Sequence, residues 1–425
     1  NVSDRPMIYK DEDALAAFTP LADAVLTHNR PIVRRIDDSV CVVSRGEPRF
    51  IRRARGFAPE PLPLKGNGRT ILAVGAQEKN TFCLLKGSNA FLSGHIGDLD
   101  DPDTEQALVS EIGSFERLFD AEPECVVCDP HPDYVSAKIA RSLGLPVLTV
   151  QHHRAHFASV LAEHGESDPA LGFIWDGTGF GDDGTIWGGE TLFGTVADSR
   201  RVGHLLPFSL LGGEAAVREP WRCALSVCSI ALGREQALRL FPAREKEAKL
   251  LLQAEESGLN APETTSMGRL FDAVAALCKL RESVAYEAQA AIELEQAADA
   301  AETDAYRFDI LTENGGWVYD WRPVIRSILA DISAGVPAGR VSMRFHRALS
   351  NLLVDGAEKA LLETNVRTVA LSGGCFQNEL LLALGADALE ERGYRVLYNR
   401  LVPCNDGGIS FGQAAAAAAL KQEGD

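Results

Sequence analysis

The chain has 425 residues, 46% hydrophobic and 24% charged, the balance of a soluble globular protein with length for two or three domains. Its 42 basic and 60 acidic side chains leave a net charge of −18, which argues against nucleic-acid or anionic-membrane partners, since both draw affinity from cationic contacts. No apolar run approaches the roughly 18–20 residues that cross a bilayer, no secretory signal opens the chain, and nine scattered cysteines suit reduced thiols in a cytoplasm better than a disulfide framework. The chain opens at Asn1 without an initiator methionine, so it reads as processed, cut or partial.

Along the chain, Leu15, Phe18, Leu21 and Val25 are spaced as on a helix, which Pro20 splits in two. Pro31–Val43 alternates as strands do, the basic run Arg49, Arg52, Arg53 and Arg55 reads as a solvated edge, and Pro59–Pro63 reads as a stiff linker. From Thr70 the pattern changes to three short strands of a meander, near 70–75, 81–85 and 90–93. Helix 104–119, strand Cys125–Cys128, helix 133–143 and strand Val147–Gln151 follow. A second block repeats this order: strand Leu171–Asp176, a glycine-rich hairpin to Leu192, helices over 214–299, then helix 339–364, strand Thr368–Leu371, helix 377–392, strand Arg395–Asn399 and an alanine-rich last helix. Antiparallel strands followed by β-α-β units, twice over, predict a two-lobed α/β protein.

The sharpest chemical signal is Gln151-His-His-Arg-Ala-His156. On a helix starting just after a strand, His152 and His156 share one face and can reach one divalent metal. The absence of Glu after the first His excludes the zinc-protease arrangement. Asp176, at the end of an apolar strand, and Asp406, in Cys404-Asn-Asp-Gly-Gly408, are carboxylates at strand ends, where α/β folds gather ligands; each alone also fits a turn former or cap. The glycine segments Asp176–Gly179, Asp183–Gly189 and Ser372–Gly374 are expected to turn N–H groups toward phosphate. There is no Walker A sequence. Cys125-x-x-Cys128 lies inside an apolar strand and reads as a buried structural pair.

These motifs together resemble the C-terminal part of the hydrogenase-maturation carbamoyltransferase family HypF. The matching stretches are His28–Arg35, Asp37–Ser39, Arg52–Gly56, Lys79–Thr81, His95–Asp98, His131–Tyr134, Val150–His156, Asp176–Gly179, Trp187–Glu190, Arg218–Arg222, Gly268–Val274, Leu371–Gly374 and Asn405–Ser410. The resemblance implies that residues 1–63 are the tail of a YrdC-like domain, and that 68–425 form a domain similar to the universal tRNA threonylcarbamoyl-transferase, with the two-lobed actin/Hsp70-like (ASKHA) fold and a lobe boundary near residue 200. It implies a divalent metal, iron or zinc, held by His152, His156, Asp176 and Asp406. It also implies a nucleotide site (ATP, AMP or carbamoyl-adenylate) at Gly177, Thr178, Gly179, Asp272, Gly373, Gly374 and Asn378.

The implied reaction moves a carbamoyl group from carbamoyl-adenylate to the C-terminal cysteine of HypE, toward the cyanide ligands of nickel–iron hydrogenases. With most of the YrdC-like domain and the modules before it missing from the sequence, only the transfer half is expected here. Arg154 stands where the family commonly has a third consecutive histidine, Gln77 where an acidic residue is usual, and Ala288 where glycine is usual. A small-molecule carbamoyltransferase and a nucleotide- and metal-binding module without turnover are the alternatives.

Overall fold

The two blocks of apolar strands build two separate sheets. The computed structural model describes residues 7–313 and 316–420. After a hairpin of β1 (Val40–Ser44) and β2 (Glu47–Arg52), the first sheet comprises β3 (Leu62–Pro63), β4 (Ile71–Ala73), β5 (Cys83–Lys86), β6 (Asn89–Leu92), β7 (Cys125–Cys128) and β8 (Val147–Thr149), in the order β3-β6-β5-β4-β7-β8. The second comprises β9 (Ala170–Phe180), β10 (Ile186–Gly194), β11 (Ser199–Leu205), β14 (Asp309–Glu313), β15 (Gly316–Asp320), β16 (Thr368–Ser372) and β17 (Arg395–Tyr398), in the order β14-β15-β11-β10-β9-β16-β17. The short strands β12 (Phe208–Ser209) and β13 (Glu263–Thr264) pair beside β10.

The sheets share one topology. β4, β5 and β6 form an antiparallel meander, and the free edge of β4 takes β7 in parallel, followed by β8. β9, β10 and β11 repeat the meander, and β9 takes β16 in parallel, followed by β17. Parallel neighbours need a crossover, and the helices Val135–Ser142 and Glu379–Glu391 supply the last one in each sheet. This duplicated meander with two added parallel strands bears out the expected α/β class of the actin/Hsp70-like type.

Residues 7–43, 48–150 and 400–420 form one compact unit, and 44–47 with 151–399 the other. In the first, Leu108, Ile112 and Phe115 of the helix Pro102–Phe119 lie on one stripe and pack on Leu72, Leu84 and Val126 of the sheet, the spacing of an amphipathic helix. In the second, Phe157, Val160 and Leu161 of the helix His152–Glu163 pack against Ile174, Leu192, Ala370 and Leu397. A Cβ on Gly172 would overlap the Phe157 ring, so that glycine lets the helix bearing His152 and His156 settle closely on β9.

Several expectations need correction. Residue 200, the expected lobe boundary, lies inside β11; the chain passes between units at Val150/Gln151 and Asn399/Arg400 instead. Pro59–Pro63 is not a free linker: Leu62 is buried and pairs with Ala90 at the sheet edge, where proline is tolerated because no ladder N–H is needed. Arg49 and Arg53 are buried rather than solvated, and Arg53 Nη2 donates to the Glu60 carbonyl at 2.9 Å. Among the described residues before β1 there is a single helix, Asp11–Phe18, ending ahead of Pro20.

Candidate metal and nucleotide site

Gln151 caps the helix His152–Glu163, its side chain accepting from Arg154 N at 3.0 Å, so the helix starts at the first histidine. His152 and His156 then lie one turn apart, buried, over the middle of β9 where Asp176 stands. Asp176 Oδ2 is 2.9 Å from His156 Nε2 and 3.4 Å from His152 Nε2. Its other oxygen, Oδ1, accepts from Gly177 N at 2.7 Å and Gly374 N at 3.2 Å. Backbone amides from β9 and from the turn after β16 thus fix one carboxylate oxygen and leave the other to the imidazoles.

Burial pushes the Asp176 carboxyl up, but bonds to His152 and His156 outweigh it and hold the group well below the ordinary carboxylate range. The ligand atoms of His152, His156 and Asp176 all lie within 4.8 Å of one another. Two imidazole nitrogens and one carboxylate oxygen, all buried on rigid elements, fit a divalent metal of borderline softness, with the amides of Gly177 and Gly374 orienting the carboxylate from behind. Asp406 belongs to the other compact unit, where it opens the 3-10 turn Asp406–Gly408 before the helix Ile409–Ala419; Asn405 caps that turn by accepting from Gly407 N at 3.0 Å.

The glycine segments correct a second expectation. Asp176–Gly179 is not a turn but continuous strand, Gly179 pairing with Trp187. Its Gly177 N–H serves Asp176, and the N–H groups of Gly188 and Gly189 donate to Glu190 Oε1 at 3.2 and 3.3 Å. The amides expected to face phosphate at Gly177, Gly188, Gly189 and Gly374 therefore hold buried carboxylates. What glycine supplies here is closeness. A Cβ on Gly179 would overlap His153 Cε1 and stand 2.9 Å from His152 Cδ2, and one on Gly374 would lie 2.8 Å from Asp176 Oδ1.

Of the remaining expected nucleotide residues, Thr178 is exposed on β9, and Gly373 makes the turn after β16 with φ +99°, where a Cβ would overlap the Trp175 carbonyl oxygen. Asp272 lies buried on the helix Met267–Leu277 with Oδ2 2.8 Å from Arg269 Nη1; burial pushes its carboxyl up and Arg269 opposes this only in part. Asn378 caps the helix Glu379–Glu391: its Oδ1 accepts from Leu381 N at 2.8 Å, and its Nδ2 lies 2.9 Å from His346 Nε2.

Three supporting residues escaped the sequence reading. Ser266 Oγ donates to the carbonyls of Asp176 and Gly177 at 3.0 and 2.7 Å and accepts from Arg269 N at 3.1 Å, pinning the helix to the strand; a serine three residues before Arg269 is the available cap signal. Arg269 lies in the matched stretch Gly268–Val274, which assigned it no role, and His346 carried no local signal. Of the departures from the family pattern, Gln77 Oε1 accepts from Val135 N at 2.8 Å, a role open to a carboxylate oxygen. Arg154 Nη2 pairs with Asp182 at 2.8 Å, and Ala288 adopts φ +58°, the left-handed conformation that favours glycine. Cys125 and Cys128 are buried free thiols, pushed up by burial.

Comparison with known proteins finds matches along most of the chain. Two family models match: the HypF Kae1-like domain over residues 66–163, and the second subdomain of the carbamoyltransferase Kae1-like domain over residues 172–413. Carbamoyltransferase HypF of Rhizobium leguminosarum bv. viciae is 41% identical over 418 residues, covering 98% of this chain and 54% of that protein. A carbamoyltransferase HypF homolog of Cupriavidus necator is 36% identical over 375 residues, covering 84% of this chain and 94% of that one.

A crystal structure of full-length HypF in its phosphate- and nucleotide-bound form superposes with a TM-score of 0.93 at 41% identity, covering 98% of this chain and 66% of that chain. HypF of T. kodakarensis gives 0.90 at 30% identity, covering 98% and 57%. The chain spans about half the length of most of its curated relatives (54% of the first). A match running through both duplicated sheets, at this identity and with the histidine helix set on the glycine strand, has one reading: the chain belongs to the carbamoyltransferase HypF family.

Proposed function

We propose that this chain performs carbamoyl transfer in hydrogenase maturation, taking the group from carbamoyl-adenylate and delivering it to the C-terminal cysteine of HypE, on the way to the cyanide ligands of nickel–iron hydrogenase. The observation that carries the reading is the convergence of His152, His156 and Asp176 in a chain of the HypF family. Residues 68–425 are read as the transfer domain and 1–63, which precede the first matched position at 66, as the tail of a YrdC-like domain. The nine cysteines, all outside disulfides, support a cytoplasmic setting. No helix among the described residues is long and apolar enough to cross a membrane, and the charge of −18 supports leaving nucleic acid out of the partners.

In this reading Asp406 joins His152, His156 and Asp176 as a fourth ligand to iron or zinc, the donor chemistry suiting either. The cation would act as a Lewis acid on a carbamoyl or phosphate oxygen. The chain's own residues do the rest. Gly177 and Gly374 keep the Asp176 carboxylate aimed, while His153, buried and held neutral chiefly by that burial, adds no charge to the group. Thr178, Gly179, Gly373, Asp272 and Asn378 line the adenylate. The partner's thiol loses its proton to solvent, its sulfur bonds to the carbamoyl carbon, and the carbon–oxygen bond to phosphate breaks with the electron pair leaving on AMP. No nucleophile from this chain is needed.

The test is single-turnover transfer of labelled carbamoyl from preformed carbamoyl-adenylate to purified HypE, with and without chelator. Label on the C-terminal cysteine that disappears with chelator is the expected result. Unlabelled HypE in the presence of bound metal and AMP sinks the reading.

A further inference from the structure

Arg269 is the most deeply buried cation in the second unit's site region, 7% exposed, and nothing in the proposed chemistry has yet used it. Its guanidinium is only partly occupied. Nη1 faces Asp272 Oδ2 at 2.8 Å, whereas Nε has no acceptor among the described residues. Nη2 points along Gly177, 3.5 Å from where a Cβ on that residue would stand. In a planar guanidinium, Nε–H and one terminal N–H lie side by side and form a fork matched to two oxygens of one phosphate or carboxylate. A buried N–H without an acceptor costs stability, and here it costs that at the edge of the strand bearing Asp176.

Sequence and packing fix this edge. Ser266 caps the helix start and ties it to the carbonyls of Asp176 and Gly177, so Arg269, one turn in, is brought against Gly177. Any side chain at 177 would screen the guanidinium; glycine leaves it uncovered. Asp272 anchors the far side and prevents the fork from turning away.

We propose that Arg269 is the phosphate-binding residue of this site, taking two oxygens of the adenylate phosphate on its Nε–Nη2 edge, with Asp272 as the positioning residue that holds the fork. This rests on the adenylate reading above and adds a residue to it. As carbamoyl leaves, the charge on the released AMP phosphate grows, and a fixed guanidinium meets that charge without reorganisation.

The test compares AMP with adenosine, the same molecule without the phosphate, by calorimetry on the full 425-residue chain, its Arg269→Gln variant and its Arg269→Lys variant, with thermal melts as the folding control. The parent is expected to prefer AMP. Both variants are expected to lose about tenfold to hundredfold in that preference, the worth of charge-assisted bonds, while adenosine affinity is kept. Lysine keeps the charge but not the fork, so it serves even if the glutamine variant folds poorly. A variant that retains the full preference for AMP overturns the proposal, as does a loss that falls equally on AMP and adenosine; both leave the adenylate reading standing. A parent chain that binds neither compound overturns the two together.

Discussion

His346 is expected to contribute to acid sensitivity a share that one substitution should remove. The imidazole is fully buried in the helix Ala338–Thr364, with Phe271 5.5 Å from it ring to ring, and burial lowers its pKa to about 4, the bond to Ser342 opposing only in part. Nδ1, 2.8 Å from the Ser342 carbonyl, must carry the proton, so Nε2 accepts from Asn378 Nδ2 at 2.9 Å. An unfolded histidine titrates near 6.5. Because the folded value is depressed, the full stability is present above the unfolded value of about 6.5 and is lost as pH falls from there toward about 4.

Between pH 7 and pH 5 the unfolded chain gains a proton at this position that the folded chain refuses, which amounts to about 2 kcal/mol. Urea unfolding of the parent and of His346→Gln, followed at both pH values, reads this directly. The glutamine variant starts less stable but should lose about 2 kcal/mol less on acidification. His95, also lowered to about 4, chiefly by burial, contributes equally to both proteins and cancels. Parallel pH dependences would refute the assignment of that share to this ring.

Three further outcomes follow from the geometry. Gly179→Ala forces a methyl against His153 and to 2.9 Å from His152, and zinc affinity by competition with a chelating dye should fall about tenfold to hundredfold; an unchanged affinity means the imidazoles are not the ligands. Asp176→Asn keeps the size of the side chain but removes the charge facing both imidazoles, and metal content by elemental analysis after dialysis should drop to background. In the first unit, Gly75→Ala places a Cβ into the Thr81 carbonyl oxygen at φ +74°, and thermal unfolding should show a loss of about 2–4 kcal/mol from left-handed strain and overpacking together; a loss below half a kcal/mol means the turn yields freely.

The elements legible in the sequence were those whose burial is continuous. Cys125–Cys128 reads as a strand because all four residues are buried, and the helix expected over 339–364 begins one residue earlier. The strand ending expected at Asp176 runs on to Phe180 because Gly179 still pairs with Trp187, and no apolar side chain announces that. β3 was unreadable since two residues at an edge carry no periodicity. At the site, the spacing of His152 and His156 pointed to one helix face, and the structure sets that face against Asp176. The partners of the glycine amides were invisible: glycine signals that backbone is accessible, not whether a phosphate or a carboxylate will take the N–H. Arg49 and Arg53 show the same limit, because a charge pattern records cations without their distant acceptors.

The path of the chain between the two units bears on the order in which they are completed during synthesis. The second unit is drawn almost wholly from one uninterrupted stretch, 151–399, whereas the first needs residues 400–420. The helix Ile409–Ala419 packs on β4, β5 and β7, and Gln413 Oε1 accepts from Gly75 N at 2.9 Å, more than three hundred residues back. A ribosome therefore releases every residue of the second sheet before the helix that covers the first has emerged. The earlier-made sheet must wait with one face open, and β4, β5 and β7 are the strands that a chaperone would meet there.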